Sequence, residues 1–304
     1  MNKRINLVVI LILVVGLGIG ALIGFVAGNF LFDLKYPEDN TTGNSDGLSD
    51  TEDSTSSSQT TDQTTSSSDK PTDETPTKKI AITFDDGPSS ANTKAILDLL
   101  EQYNAKATFF VCGSNLSVST RSVLQRAISL GCEIGNHTVS HEDMTKLSAE
   151  DLLEEIQTTN EKIALHSGKD YRCKLYRPPY GNINRSVMDT LYDNGIRMYS
   201  ILWSSDSLDW EYQSRYKKGE ISREEAIQGA FDTIVRETSE GTVILMHDIH
   251  EITPDILALV LEKYTAEGYT FVTVSELFGL EDNASEEAYF NRYRSTSSIL
   301  PVQS

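Results

Sequence analysis

Residues 79–280 repeat one two-part pattern: a short apolar, β-branched run, then a stretch whose apolar residues recur at helical spacing. Residues 79–84 are the first such run, and 92–103 follow with Ala95, Ile96, Leu99 and Leu100 on one helical face. A strand over 108–112, a helix over 118–130 stopped by Gly131, and a strand over 132–135 come next. Ser148 reads as an N-cap, with Glu150 and Asp151 in the first turn of a helix running to His166. Strands at 174–176, 196–202, 242–246 and 270–274 then alternate with helices at 184–194, 223–238, 253–266 and 275–280. This alternation predicts a parallel α/β domain. Asp85, Asp86, His137, Arg177, Tyr180, Asp206, Asp209 and His247 each fall just after a predicted strand. In a (β/α) barrel the carboxyl ends of the strands share one face, which would gather all eight. The expectation is a distorted (β/α) barrel of about seven units. No G-x-G-x-x-G follows the first strand, so a dinucleotide site is not supported.

Other segments flank this domain. Residues 5–32 contain no charged residue, a run longer than the apolar core of a secretory signal and long enough to span a bilayer. Lys3 and Arg4 precede it. The reading is a single-pass anchor with its N-terminus in the cytoplasm and the folded domain outside the cell membrane. Gly16, Gly20, Gly24 and Gly28 share one face of that helix and could support a weak homodimer. In residues 38–77, twenty of forty are Ser or Thr and ten are Asp or Glu, the composition of a disordered linker. The expected division is 1–37 tip and anchor, 38–77 linker, 78–280 folded domain, and 281–304 a polar tail without assigned structure.

The net charge is −19, of which residues 78–280 carry −10. Phosphate contacts need Lys and Arg, so a nucleic-acid partner is not expected. Of the three cysteines, Cys112 ends one predicted strand and Cys132 begins the next. Either these two pair, as an external location permits, or they and Cys173 are buried small apolar residues.

Thr83-Phe84-Asp85-Asp86-Gly87-Pro88 and His137-Thr138-Val139-Ser140-His141 carry the chemistry. Two adjacent carboxylates and two imidazoles four apart can supply three metal ligands and one spare base, the requirement for hydrolysis by a metal-activated water. Taken alone, Asp-Asp-Gly-Pro is a turn; the histidine pair changes that reading. His166 and His250 read as ordinary core or exposed histidines.

Five motifs in order are similar to those of the NodB-homology polysaccharide deacetylases, carbohydrate esterase family 4. They are the two above, Arg177-Pro178-Pro179-Tyr180, Asp206-Ser207-Leu208-Asp209-Trp210 and Ile244-Leu245-Met246-His247. The resemblance implies a single divalent metal on Asp86, His137 and His141, usually Zn2+, with Co2+ or Ni2+ as alternatives. It implies Asp85 as general base, Arg177 orienting that base, His247 as general acid, Asp209 as its partner, and the Tyr180 N–H on the oxyanion. Asp206 would support the site from behind. Trp210 and Leu245 are either the walls of an acetyl pocket or ordinary core. The implied reaction is N-deacetylation of N-acetylglucosamine units in a cell-wall glycan such as peptidoglycan. O-acetyl esterase action on xylan and deacetylation of chitin oligosaccharides are the alternatives.

Overall fold

The computed structural model describes residues 78–168, 171–282 and 284–302. The expected anchor, its glycine face and the linker lie outside the described residues. Among those described, no helix is long and apolar enough to cross a membrane.

The first half of the domain runs β1 (Lys78–Asp85), α1 (Asn92–Gln102), β2 (Ala107–Val111), α2 (Arg121–Ser129), β3 (Glu133–Asn136), α3 (Ala149–Ser167), β4 (Leu175–Tyr176), α4 (Arg185–Asp193) and β5 (Tyr199–Ile201). The second half runs β6 (Ser205–Asp206), α5 (Asp209–Lys217), α6 (Arg223–Glu237), β7 (Val243–His247), α7 (Thr253–Ala266), β8 (Tyr269–Phe271), α8 (Val274–Phe278), α9 (Glu286–Tyr289), β9 (Asn291–Ser295) and β10 (Ser298–Pro301). Helices α3, α4, α6 and α8 start where a short polar side chain takes an orphan N–H. Ser148 accepts from Asp151 N–H, and Ser222 with Glu225 and Thr273 with Glu276 form reciprocal capping boxes.

The sheet order is β10-β9-β5-β4-β3-β2-β1-β7-β6, with β8 paired to the start of β1. Neighbours from β9 to β6 are parallel, and only β10 runs antiparallel. An antiparallel bridge between Thr242 and Ser295 brings β9 back toward the start of β7. The expected distorted barrel is therefore a curled α/β half-barrel.

Strand side chains alternate between faces, and here parity decides which residues can react. Ile80, Ile82 and Phe84 of β1 pack with Ile244 and Met246 of β7 in the core that also holds Ile96, Leu97 and Leu100 of α1 and Ile256, Leu257 and Val260 of α7. The intervening residues, Ala81, Thr83 and Asp85, face the concave side with Val243 and Leu245. Asp85 and His247 are register partners at the ends of adjacent strands.

The structure decides three points that the sequence left open or unassigned. Residues 211–222, to which the sequence pattern assigned no element, mostly belong to α5, held to α6 by Tyr212, whose ring lies where a side chain on Gly229 would be. Of the two cysteine readings, the buried one holds: Cys112, Cys132 and Cys173 are free and buried, which pushes the Cys132 thiol up to about 11 and Cys173 to about 12. The tail is not structureless. Its β9 lies parallel to β5, with Tyr293 edge-on to Tyr199 and Phe278.

Tyr293 is thus the apolar anchor of an otherwise polar strand. Tyr293→Ala is expected to cost about 3 kcal/mol in denaturant unfolding. An unchanged midpoint would mean that the tail adds nothing to the domain.

Candidate active site

At the carboxyl end of the sheet lies a cavity of about 510 Å³ lined by Asp85, Asp86, His137, His141, Tyr180, Trp203, Asp206, Trp210, Leu245, His247, Ile249 and His250. Every residue singled out from the motifs lines it except Arg177 and Asp209, which are fully buried behind it.

Arg177, in the turn after β4, has no solvent exposure. Its Nη1 donates to Asp85 Oδ1 (2.7 Å) and to Thr83 Oγ1 (2.7 Å). Nε and Nη2 donate to the carbonyls of Ile201 and Leu202 at 3.2 and 3.1 Å. The guanidinium lies 4.2 Å from the centre of the Phe110 ring. Nη1 fixes one Asp85 oxygen and leaves Oδ2 on the cavity side, 3.6 Å from His137 Nε2.

The Arg177 carbonyl sets the state of the first histidine. It can only accept, so His137 Nδ1, 2.7 Å away, carries the proton and Nε2 presents a lone pair. That Nε2 is 3.4 Å from Asp86 Oδ1, and His141 Nε2 is 3.5 Å from the same oxygen. Three donor atoms converging without a proton to share suit a cation. With ligand bonds of about 2.0–2.1 Å, the edge of a zinc tetrahedron is roughly 3.3–3.4 Å. The residues therefore fit the divalent ion that the family implies. Burial opposes ionisation of Asp86, but His137 and the other imidazoles around it take its pKa down to about 2. Burial and the neighbouring His137 hold His141 below the usual histidine value.

Across the cavity, His247 Nδ1 lies 2.7 Å from Asp209 Oδ1, and the His247 N–H donates to Asp209 Oδ2 (2.8 Å). Thr253 Oγ1 also donates to Oδ2. Burial works against charge on His247, yet Asp209, with Asp85 and Asp86 behind it, raises its pKa to about 10. Burial raises the pKa of Asp206, whose Oδ1 accepts the Leu208 N–H. Leu245 is buried beneath the cavity, whereas Trp210 is 49% exposed at its rim. Tyr180 is also at the rim, its ring edge-on to His141. The turn around it uses the N–H groups of Gly181 and Asn182, not that of Tyr180.

Five of the six non-glycine residues with positive φ among those described are here: Asp86, Thr138, His141, Tyr180 and Leu208. Such conformations cost on the order of 1 kcal/mol or more each and persist where surrounding bonds over-determine them. Two of the supports were not singled out in the sequence. Glu155 of α3 accepts the N–H groups of Val139 and Ser140 and the Ser140 hydroxyl, clamping the loop between the two histidines. Asp248 is wholly buried, accepts from Thr93, and fills the space that a side chain on Gly87 would need. Neither carries a local signal, one being an acid in an amphipathic helix and the other simply the residue after His247.

Comparison with known proteins decides the family. Residues 72–199 match the model described as polysaccharide deacetylase. The chain is 37% identical over 202 residues to the peptidoglycan-N-acetylglucosamine deacetylase PgdA of Listeria monocytogenes, covering 66% of this chain and 39% of that protein. Its fold matches the peptidoglycan deacetylase PdaC of Bacillus subtilis with a TM-score of 0.57 at 38% identity, over 66% of this chain and 90% of that one. The chain belongs to the NodB-type polysaccharide deacetylases, carbohydrate esterase family 4. A family 4 acetyl xylan esterase of Clostridium thermocellum, in complex with a cobalt ion, is also similar, with a TM-score of 0.61 and 29% identity over 72% of this chain and 99% of that one. The chain spans 33–41% of the length of the first curated relatives of this family that it matches.

The buried pair in this deacetylase fold has a measurable signature. Arg177→Met is expected to destabilise the domain by roughly 3–5 kcal/mol, because it strands the Asp85 carboxylate. The double variant Arg177→Met/Asp85→Asn should recover part of that loss in denaturant unfolding. A double variant no more stable than the single one would show that the pair is not what Arg177 supports.

Proposed function

We propose that this chain hydrolyses the N-acetyl group of N-acetylglucosamine units in peptidoglycan. The observation that carries the reading is the different setting of two adjacent acids: one Asp86 oxygen is shared by His137 and His141, whereas Asp85 has one oxygen bound to Arg177 and the other 3.6 Å from His137 Nε2. Asp86, His137 and His141 would hold one divalent ion, zinc by the donor set. When bound there, such an ion polarises the acetyl carbonyl and makes water more acidic.

The chain's own groups divide the remaining work. Asp85 Oδ2 takes a proton from the attacking water, its other oxygen being fixed by Arg177. The Tyr180 N–H lies beside the place where negative charge develops on the carbonyl oxygen. His247, held charged by Asp209, gives a proton to the departing amine. Leu245 and Trp210 flank the acetyl methyl, with Trp210 extending to the rim where the glycan ring rests. Asp206 holds the Leu208 turn that delivers Asp209. Acetate and a free amine are the products.

Peptidoglycan as substrate is supported by PgdA and PdaC, both peptidoglycan deacetylases, together with the anchor and linker expected for residues 1–77; N-acetylglucosamine as the sugar is supported by PgdA, whereas PdaC acts on N-acetylmuramic acid. A single-pass anchor in the cell membrane would tether the domain, outside the cell, beneath its own wall.

The test is acetate release from purified peptidoglycan, chitin oligosaccharides and acetylxylan. Peptidoglycan is expected to be the best substrate; preference for acetylxylan would make the chain an O-acetyl esterase. Asp85→Asn is expected to lower kcat by about 10²–10⁴ without changing zinc content. Full activity in that variant removes Asp85 as the base.

The pH profile follows from the sign of the His247 shift. A raised pKa keeps the acid protonated through neutrality, so on the alkaline side activity should fall only as pH approaches about 10. The same shift stabilises the fold below the ordinary histidine value of about 6.5, and that contribution is lost as pH rises through the folded value. Asp209→Asn should move the alkaline limb of kcat to lower pH. An unmoved limb would assign it to another group.

A further inference from the structure

A second group of ligand-type side chains faces the same cavity. Asp209, His247 and His250 each offer a donor atom within 4.8 Å of the other two. His250 sits in the turn after β7, its N–H bonded to the His247 carbonyl and its ring centre 5.7 Å from that of His247. Burial, then the charge on His247, keeps its imidazole below the usual pKa, so it offers a lone pair at neutral pH.

Asp209 is not itself free to ligate. Oδ1 accepts from Trp210 N–H and His247 Nδ1, and Oδ2 from His247 N–H and Thr253 Oγ1. What it does is fix His247 with Nε2 as the open nitrogen. A carboxylate behind an imidazole makes the imidazole a stronger metal ligand. His247 Nε2 and the His250 imidazole share one cavity wall, and imidazole nitrogens suit zinc.

We infer that His247 and His250 form a second, weaker cation site, and that zinc beyond the first equivalent fills it and stops the reaction. The Asp86 site has three protein ligands and fills first. At the second site the incoming ion takes the His247 Nε2 lone pair and displaces its proton to solvent, and the leaving amine loses its donor. The inhibitory step rests on the reading of His247 as the general acid.

The experiment is equilibrium dialysis of the full chain against rising zinc, with bound metal and acetate release read on the same samples. Wild type is expected to bind one ion more than His250→Ala and His250→Gln at excess zinc, and to lose activity as that ion binds. In both variants the inhibition should be absent over the same range. Equal metal content in wild type and variants overturns the site and leaves His247 as the acid untouched. An extra ion that depends on His250 yet leaves acetate release unchanged overturns the inhibition and the assignment of His247 together.

Discussion

One buried guanidinium holds the architecture of this site together. Arg177 binds Asp85 and Thr83 on β1 and the carbonyls of Ile201 and Leu202 at the end of β5, while its own carbonyl accepts from His137 and its N–H donates to Asn136 O. Three strand ends are thereby referred to one residue, two through its guanidinium and one through its backbone. A charge taken wholly out of water is tolerated only when its donors are nearly all used, as they are here. The consequence is chemical as much as structural: one Asp85 oxygen is immobilised, and the His137 tautomer is chosen.

The rest of the site is arranged by backbone strain. Left-handed residues at Asp86, Thr138, His141, Tyr180 and Leu208 sit in the loops that carry the cavity's side chains, and Asp86, His141 and Tyr180 line it. Glu155 and Asp248 hold two of these loops, the first by capping the N–H groups between the histidines and the second by packing against the glycine after Asp86. Local cost is accepted because a packed core lies below, with Phe84 and Met246 fully buried one residue from the reacting groups. Charge is distributed in the same spirit. Asp86 is kept ionised facing the histidine pair, and Asp209 keeps His247 protonated on the opposite wall.

How much of this could be read beforehand depended on whether the signal was local. The alternation of β-branched runs with helical spacing is local, and most elements from β1 to α8 fall within a few residues of where it puts them. The reactive residues were legible for the same reason, since each follows a strand directly. The polar helix α5 was not, because Asp209 is its only buried residue and its contact with α6 runs through Tyr212. Nor was β9, whose ladder partner is β5, some ninety residues earlier in the chain. The Trp210 environment was ambiguous from sequence, and its exposure places it at the rim rather than in the core.

The central claim is that Asp86 and Asp85, adjacent in the chain, do different things: one grips a cation and the other stays off it. Anomalous diffraction at the zinc edge, from crystals of the chain loaded with one equivalent of zinc, tests this most directly. The account requires a single peak bonded to Asp86, His137 and His141, with Asp85 still paired to Arg177. A peak coordinated by Asp85, or zinc found away from the histidine pair, would contradict it.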